Sequence, residues 1–315
     1  MIACAAHLAS YGRCMISEWQ FGTRANGQAV KAYKLRSTTG CQAVILNYGA
    51  ILQSLCLPDG RNIALGFETW DGYKADKNYI GRIIGPNANR IAGAQFQIDE
   101  TSHSLAANEG VDNLHSGPNG FDSQMWDVSY GSQSLNLKHR SPHGFNGFPG
   151  KVEAALKISL TCNSLRLEMQ AVSDRPTPLN LTWHTYWNLS NDKRIDGHNL
   201  QIQSNSITNL VTDTETQIPQ TRYDFRSPLP LGSVKLDSNY KDVKSAKLNS
   251  CNIGLTVTSS LPDMQVYTGD GLPTPRQAIA IEPQFRPNDI NFAQDSLLRP
   301  NEIYKHWIEY QFDMG

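Results

Sequence analysis

The chain has 315 residues, enough for one large domain or two ordinary ones, with a sizeable core in either case. Its 28 basic and 29 acidic residues leave a formal net charge of -1 with no basic block, which argues against nucleic acid and anionic membrane surfaces as partners. Apolar residues make up 39 % of the chain but fall in short runs, none of the length a membrane span needs.

Met1 to Ser10 is mildly apolar, lacks a basic leader and is interrupted by His7, so no secretory signal is expected. Residues 1–20 read as an N-terminal extension ahead of a single domain over residues 21–315. The six cysteines (Cys4, Cys14, Cys41, Cys56, Cys162 and Cys251) form no Cys-x-x-Cys pair and no repeating spacing. Neither a zinc site nor a disulfide framework is indicated, and reduced thiols in a cytoplasmic protein are expected. Asn180-Leu181-Thr182 and Asn188-Leu189-Ser190 match glycosylation sequons, which without a secretory route read as accidental.

From Gln28 the chain settles into short β-type runs. Val30 to Leu35, Ala43 to Leu46 and Ile51 to Leu57 are predicted strands, with Asn47-Tyr48-Gly49 and Pro58-Asp59-Gly60 as turns. Asn78 to Ala94 is broken by Gly81, Gly85, Pro86 and Gly93 yet carries Arg82, Asn87, Asn89 and Arg90, so it reads as a loop with donors pointing somewhere. Standing alone, its arginines are most simply surface ion pairs. Phe96 to Leu105 is a predicted strand pair, and Asn108 to Phe121 an irregular segment containing His115. Trp126 to Tyr130 and Leu135 to His139 follow as strands, then a long turn from Ser141 to Lys151.

Lys151 to Ser173 is the clearest hairpin: Leu156, Ile158 and Leu160 alternate with polar residues, and Leu165, Leu167, Met169 and Ala171 alternate back. Asn180 to Leu189 is a strand-like run of a different kind. Alternation puts Thr182, His184, Tyr186 and Asn188 on one face, and Trp183, Thr185, Trp187 and Leu189 on the other. Its polar face needs partners, either in a buried network or as the lining of a cleft for something rich in hydroxyls, and the run alone does not choose. Leu200 to Leu210, Leu255 to Val257 and Met264 to Tyr267 are further strands, with Pro228 to Lys247 as a long irregular connection. Ala278 to Pro283, Leu297 to Pro300 and Tyr304 to Phe312 close the chain.

No amphipathic helix of ten or more residues, repeat or linker is evident, which predicts one all-β domain of two large antiparallel sheets packed face to face. Strands do not alternate with helices and no Gly-x-Gly-x-x-Gly follows a strand, so a dinucleotide fold is excluded. The Gly-x-Ser-x-Gly elbow and the Walker loop are absent too. Ile281-Glu282-Pro283-Gln284 places a carboxylate at the end of an apolar strand, where desolvation suits it to proton transfer.

At this point the chain resembles the aldose 1-epimerase (galactose mutarotase) family, from about Gly40 to Phe312. The motifs that carry the likeness are Gly85-Pro86-Asn87-Ala88-Asn89-Arg90-Ile91, Asn113-Leu114-His115-Ser116-Gly117, Gly147-Phe148-Pro149-Gly150, Thr177 to Thr182, His184 to Leu189, Gln265 to Gly269, Glu282-Pro283-Gln284 with Pro287 and Asn291, and Leu298-Arg299-Pro300. The resemblance implies a large antiparallel β-sandwich (a mutarotase-like supersandwich) with an open cleft, and interconversion of the α and β anomers of free hexoses such as galactose and glucose. It implies no metal or cofactor, a small sugar as partner, and a monomer or weak homodimer. Opening a hemiacetal takes a proton from the C1 hydroxyl and gives one to the ring oxygen, so a base and an acid must flank C1.

By the same resemblance Glu282 is the base, His184 the acid and His115 a second active-site histidine on the ring side. Asn89, Arg90, Gln265 and Asp237 correspond to sugar-hydroxyl ligands, and a carboxylate accepting from vicinal hydroxyls makes strong, charge-assisted bonds. Trp187 and Tyr267 read as core aromatics or stacking partners. Two departures from the family pattern, Ser116 for a glycine and Pro86 for a polar residue, fall in loops expected around the sugar and bear on substrate preference. A non-catalytic sugar-binding protein and a hexose 6-phosphate epimerase, with Arg82 and Arg286 meeting the phosphate, are the alternatives.

Overall fold

The computed structural model describes residues 15–131 and 133–314. Among them, strands gather into a nine-stranded, a six-stranded and a four-stranded sheet with smaller two-stranded ladders, and the named strands pair antiparallel. The nine-stranded sheet contains the predicted hairpin as Val152–Leu160 and Ser164–Ser173, with the C-terminal strand Tyr304–Met314 between Ser164–Ser173 and Ile253–Ser259. The six-stranded sheet runs, in spatial order, Tyr186–Trp187, Ile279–Gln284, Asp263–Tyr267, Asp237–Tyr240, Ser206–Thr208 and Glu215–Gln217.

Period-two alternation decides what lies between the sheets. Leu156, Ile158, Leu165, Leu167 and Met169 from the large sheet share one core with Met264, Val266, Ile279 and Ile281 from the six-stranded sheet and with Trp183 and Trp187. The four-stranded sheet, Met15–Thr23, Ala29–Arg36, Gln42–Leu46 and Leu52–Cys56, adds Leu35, Ile45, Leu52 and Leu55 to the same core.

Three expectations change. Residues 15–20 pair with Ala29–Arg36, so they are sheet, not extension; residues 1–14 lie outside the described residues. Pro228 to Lys247 is not irregular throughout: Leu229–Pro230, Asp237–Tyr240 and the start of Ser245–Ser250 are strands. Asp237-Ser238-Asn239-Tyr240 escapes a hydrophobicity pattern because its outward face is polar by function, as the site below makes clear.

The run from Asn180 to Leu189 is not one strand but two, Thr182–Trp183 and Tyr186–Trp187. Between them Thr185 N–H bonds the Trp183 carbonyl at 2.8 Å, a three-residue turn centred on His184. Alternation survives the break. His184 and Tyr186 line a cavity, while Trp183 and Trp187 enter the core.

Trp187 is fully buried, with its ring centroid 4.8 Å from that of Tyr310. Trp187→Ala is expected to lower unfolding free energy by about 3–5 kcal/mol, the cost of a large core truncation. A urea titration with unchanged slope reads this; a loss under about 1 kcal/mol places the ring outside the core.

Candidate active site

Strand register builds the floor of the site. Asn239 faces Gln265 across one pair of strands and Gln265 faces Glu282 across the next, while Tyr186 faces Ala280. Two residues back from Tyr186, on the same face, is His184, and two along from Ala280 is Glu282. The two side chains therefore meet although 98 positions separate them in the chain: His184 Nε2 lies 3.5 Å from Glu282 Oε1. A flanking row, Asp237 opposite Tyr267 and Tyr267 opposite Ala280, completes the polar face. Asn180 locks the strands together, its side chain donating to Phe285 C=O at 3.1 Å and accepting from Phe285 N–H at 2.9 Å.

Loops supply the walls. Arg90 pairs with Leu114 and Ile91 with Asn113, bringing Asn89 beside His115. His115 N–H donates to the Asn89 carbonyl at 3.0 Å, and Asn89 N–H donates to His115 Nδ1 at 3.1 Å. Both residues hold positive φ, 61° at Asn89 and 52° at His115. Such backbone is sparsely populated outside glycine, and the reciprocal bonds are what hold it there.

The resulting cavity, about 240 Å³, is lined by Asn89, Arg90, His115, His184, Asp237, Gln265 and Glu282 together with Lys77, Asn78, Tyr79, Glu109, Leu114, Tyr186 and Tyr267. Its volume suits one small molecule, below the roughly 300–1,000 Å³ of drug-sized pockets. Arg90 forks onto Glu109, 2.6 Å from Nε to Oε2 and 2.9 Å from Nη2 to Oε1, and Nη2 lies 3.7 Å from Asp237 Oδ2. Gln265 Nε2 donates to Asp237 Oδ1 at 2.6 Å. Gln265 Oε1, Glu282 Oε2 and His184 Nδ1 are buried without a protein partner. Among the described residues no group of three or more His, Cys, Asp or Glu is arranged to hold a metal ion.

Burial sets the protonation states. Glu282 is 2 % exposed, and desolvation, reinforced by Asp237 and opposed by Arg90, holds its carboxyl well above the ordinary range. Desolvation pushes His184 down to about 3. His115 is driven well below its ordinary value by burial, then by His184 and Arg90. Because His115 Nδ1 accepts from Asn89, the neutral ring carries its proton on Nε2 and is a donor.

All seven residues expected from the sequence thus meet in one cavity. Tyr79 and Glu109 were not anticipated. Tyr79, at φ 55°, puts its ring edge-on to His115 at 4.6 Å and 6.0 Å from His184, and Glu109 is recognisable only as the partner of Arg90. No sequence pattern marks either. Trp187 is core, while Tyr267 lines the cavity. The two departures lie behind the site: Ser116 Oγ bonds both backbone groups of Asn87, at 2.7 and 3.0 Å, and the Pro86 carbonyl accepts from Asn180 N–H. Arg82 and Arg286 do not line the cavity, being paired with Asp76 and Asp122 and with Asp213 and Asp289 respectively. In ¹⁵N spectra, His115 is expected to show a protonated Nε2 and a bare Nδ1, with no titration from about pH 5.5 to 8, whereas a free imidazole titrates near 6.5. Titration in that window would show the ring to be solvated.

The sequence pattern of the aldose 1-epimerase family matches residues 31–311. The aldose 1-epimerase of Escherichia coli K12 is 30 % identical over 91 % of this chain and 96 % of its own length. The galactose mutarotase of Homo sapiens is 28 % identical over 98 % of this chain and all of its own. Among solved structures, the galactose 1-epimerase from Lactobacillus acidophilus NCFM superposes with a TM-score of 0.88 at 25 % identity, covering 96 % of this chain and 99 % of that one. An aldose epimerase homologue from C. elegans superposes at 0.86 with 28 % identity, covering 91 % of this chain and 99 % of its own. With a match running through the residues that build the cavity, the chain belongs to the aldose 1-epimerase family.

Proposed function

We propose that this protein is a mutarotase, interconverting the α and β anomers of free hexoses such as galactose and glucose by general acid/base ring opening and closure. The observation that carries the reading is the Glu282–His184 pair, 3.5 Å apart on the floor of a cavity of monosaccharide scale. Glu282 takes the proton of the C1 hydroxyl. The bond from C1 to the ring oxygen breaks, the C1 oxygen becomes an aldehyde oxygen, and His184 delivers a proton to the ring oxygen. Rotation about C1–C2 offers the other aldehyde face, and reversal of both transfers closes the ring to the opposite anomer.

Burial gives the cycle its energetics. Ring opening starts from a carboxylate and an imidazolium and ends with a carboxyl and a neutral imidazole, with one proton on the pair throughout. Desolvation raises Glu282 and lowers His184, so the pair rests neutral with its one proton on the carboxyl, and the ionised pair that begins ring opening lies above that resting state. His115, a neutral donor through Nε2, steadies the ring side, and Asn89, Arg90, Asp237 and Gln265 meet the remaining hydroxyls.

The two arginines that the hexose 6-phosphate reading calls on, Arg82 and Arg286, are committed to carboxylates and do not line the cavity. Cys41, Cys56, Cys162 and Cys251 are free, which supports a reducing, cytoplasmic setting.

Polarimetry on freshly dissolved α-D-galactose and α-D-glucose tests the reading. Glu282→Gln and His184→Asn should each lower kcat by about 10²–10⁴ while leaving the circular dichroism unchanged. Wild-type rates in Glu282→Gln would remove the assigned base. The pH profile follows from the shifts: the active state holds one proton on the pair, a second proton reaches His184 only near its depressed value of about 3, and the shared proton leaves above the ordinary carboxylate range. kcat/KM should therefore show no acid-side fall near about pH 6.5, where a free imidazole would give one, and should fall on the alkaline side as the shared proton leaves.

A further inference from the structure

Arg82 is absent from the reaction above, yet it is among the most heavily engaged side chains near the site. Its side chain is 7 % exposed and that of its partner Asp76 is fully buried. Arg82 Nε donates to Asp76 Oδ2 at 3.2 Å, Nη2 to the Tyr73 carbonyl at 2.7 Å, and Nη1 to the Asp122 carbonyl at 3.4 Å. Asp76 in turn accepts Asn78 N–H at 2.8 Å and Ile80 N–H at 3.0 Å. Two side chains thereby fix the main chain from 76 to 82.

That main chain grips His184 from both ends. The Arg82 carbonyl accepts His184 N–H at 2.8 Å, Gly81 N–H donates to the His184 carbonyl at 2.9 Å, and the Gly81 carbonyl accepts Trp183 Nε1 at 2.9 Å. Arg82 N–H also closes onto the Tyr79 carbonyl at 3.1 Å, seating the ring that packs against His115 and His184. Gly81 has φ +70°, and a Cβ there would stand 2.3 Å from the Leu52 carbonyl oxygen, so the segment is wedged against the four-stranded sheet as well.

We propose that Arg82, paired with Asp76, is a positioning residue for the reaction, holding both backbone polar groups of His184 and the Tyr79 ring in register with Glu282. His184 ends the short ladder between Thr182–Trp183 and Ile83–Ile84, its backbone bonded to Arg82 and Gly81, and the Arg82–Asp76 pair holds that last rung in place. A guanidinium fork reaching three acceptors at once cannot be replaced by the point charge of a lysine. The inference rests on the mutarotase reading for its kinetic arm and on geometry alone for its exchange arm.

The experiment measures kcat and KM for galactose in wild type, Arg82→Lys and Asp76→Asn, with amide hydrogen exchange at Gly81 and His184. Misplacement of a reacting group by about 1 Å costs on the order of 10²-fold, so kcat should fall about 10- to 100-fold in both variants. KM should stay within about threefold, because the hydroxyl ligands are untouched. The Gly81 and His184 amides should be protected in wild type and exchange faster in the variants. A folded Arg82→Lys with wild-type kcat and only a lower melting temperature overturns the proposal, as does a rise in KM with kcat intact. Rapid exchange of His184 N–H in the wild-type enzyme overturns it even if both variants fail to fold. A wild type inactive on every sugar sinks the mutarotase reading instead, and leaves the exchange result to judge the clamp.

Discussion

Burial of a carboxyl group and an imidazole side by side is the constraint on which the rest of the molecule depends. Either group alone is costly to ionise out of water, and each shifts toward its neutral form, Glu282 upward and His184 downward. At 3.5 Å the two titrate as a coupled pair, and with one proton between them the charged and neutral arrangements differ only in where it sits. In the proposed cycle, ring opening takes the pair from its ionised to its neutral arrangement, and closure takes it back. Solvating the pair would bring Glu282 and His184 back toward their ordinary values.

Keeping the pair dry while leaving room for a sugar explains the architecture. The six-stranded sheet has two incompatible faces: Met264, Val266, Ile279 and Ile281 pack into the core, while Asp237, Gln265 and Glu282 look into the cavity. Unpartnered buried polar atoms such as Gln265 Oε1 and Glu282 Oε2 carry a desolvation cost of roughly 1–3 kcal/mol each, more for charged groups. The opposite face offsets it, with Trp183 and Trp187 fully buried directly behind His184 and Tyr186. The aromatic residues in the His184 motif are thus support for the chemistry.

Much of this was legible in the sequence, and the exceptions share a cause. The hairpin from Lys151 to Ser173 and the two faces of the Asn180 to Leu189 run could be read because one face of each is buried and period-two alternation reports burial. Asp237–Tyr240 was hidden because its neighbours on the cavity side are chosen for hydrogen bonding, which leaves no apolar period. The seven site residues were found through family motifs, and no pattern in the residues alone would have joined His115 to Glu282. Tyr79 and Glu109 lie in loops and act through contacts with Arg90 and the histidines, so they become visible only in three dimensions. Ser116 and Pro86 show the reverse case: substitutions in motifs near the sugar that turn their effects inward, onto backbone.

The break at His184 is the step at which fold and chemistry meet. A continuous strand from Thr182 to Trp187 would satisfy the backbone of residue 184 from its sheet neighbours alone. Here Thr182–Trp183 pairs with Ile83–Ile84, Tyr186–Trp187 pairs with Ile279–Gln284, and the chain changes ladders at His184. Its N–H and carbonyl turn to Arg82 and Gly81, while its imidazole turns to Glu282. One residue thereby links the wall that carries Tyr79 to the floor that carries the carboxyl group. A polar strand segment interrupted at its histidine marks where two ladders meet, and the segment that bonds its backbone must itself be held in place by something beyond the ladder. In this protein that something is a buried arginine, whose charge is matched by Asp76 and whose geometry is spent on main-chain carbonyls and not on substrate.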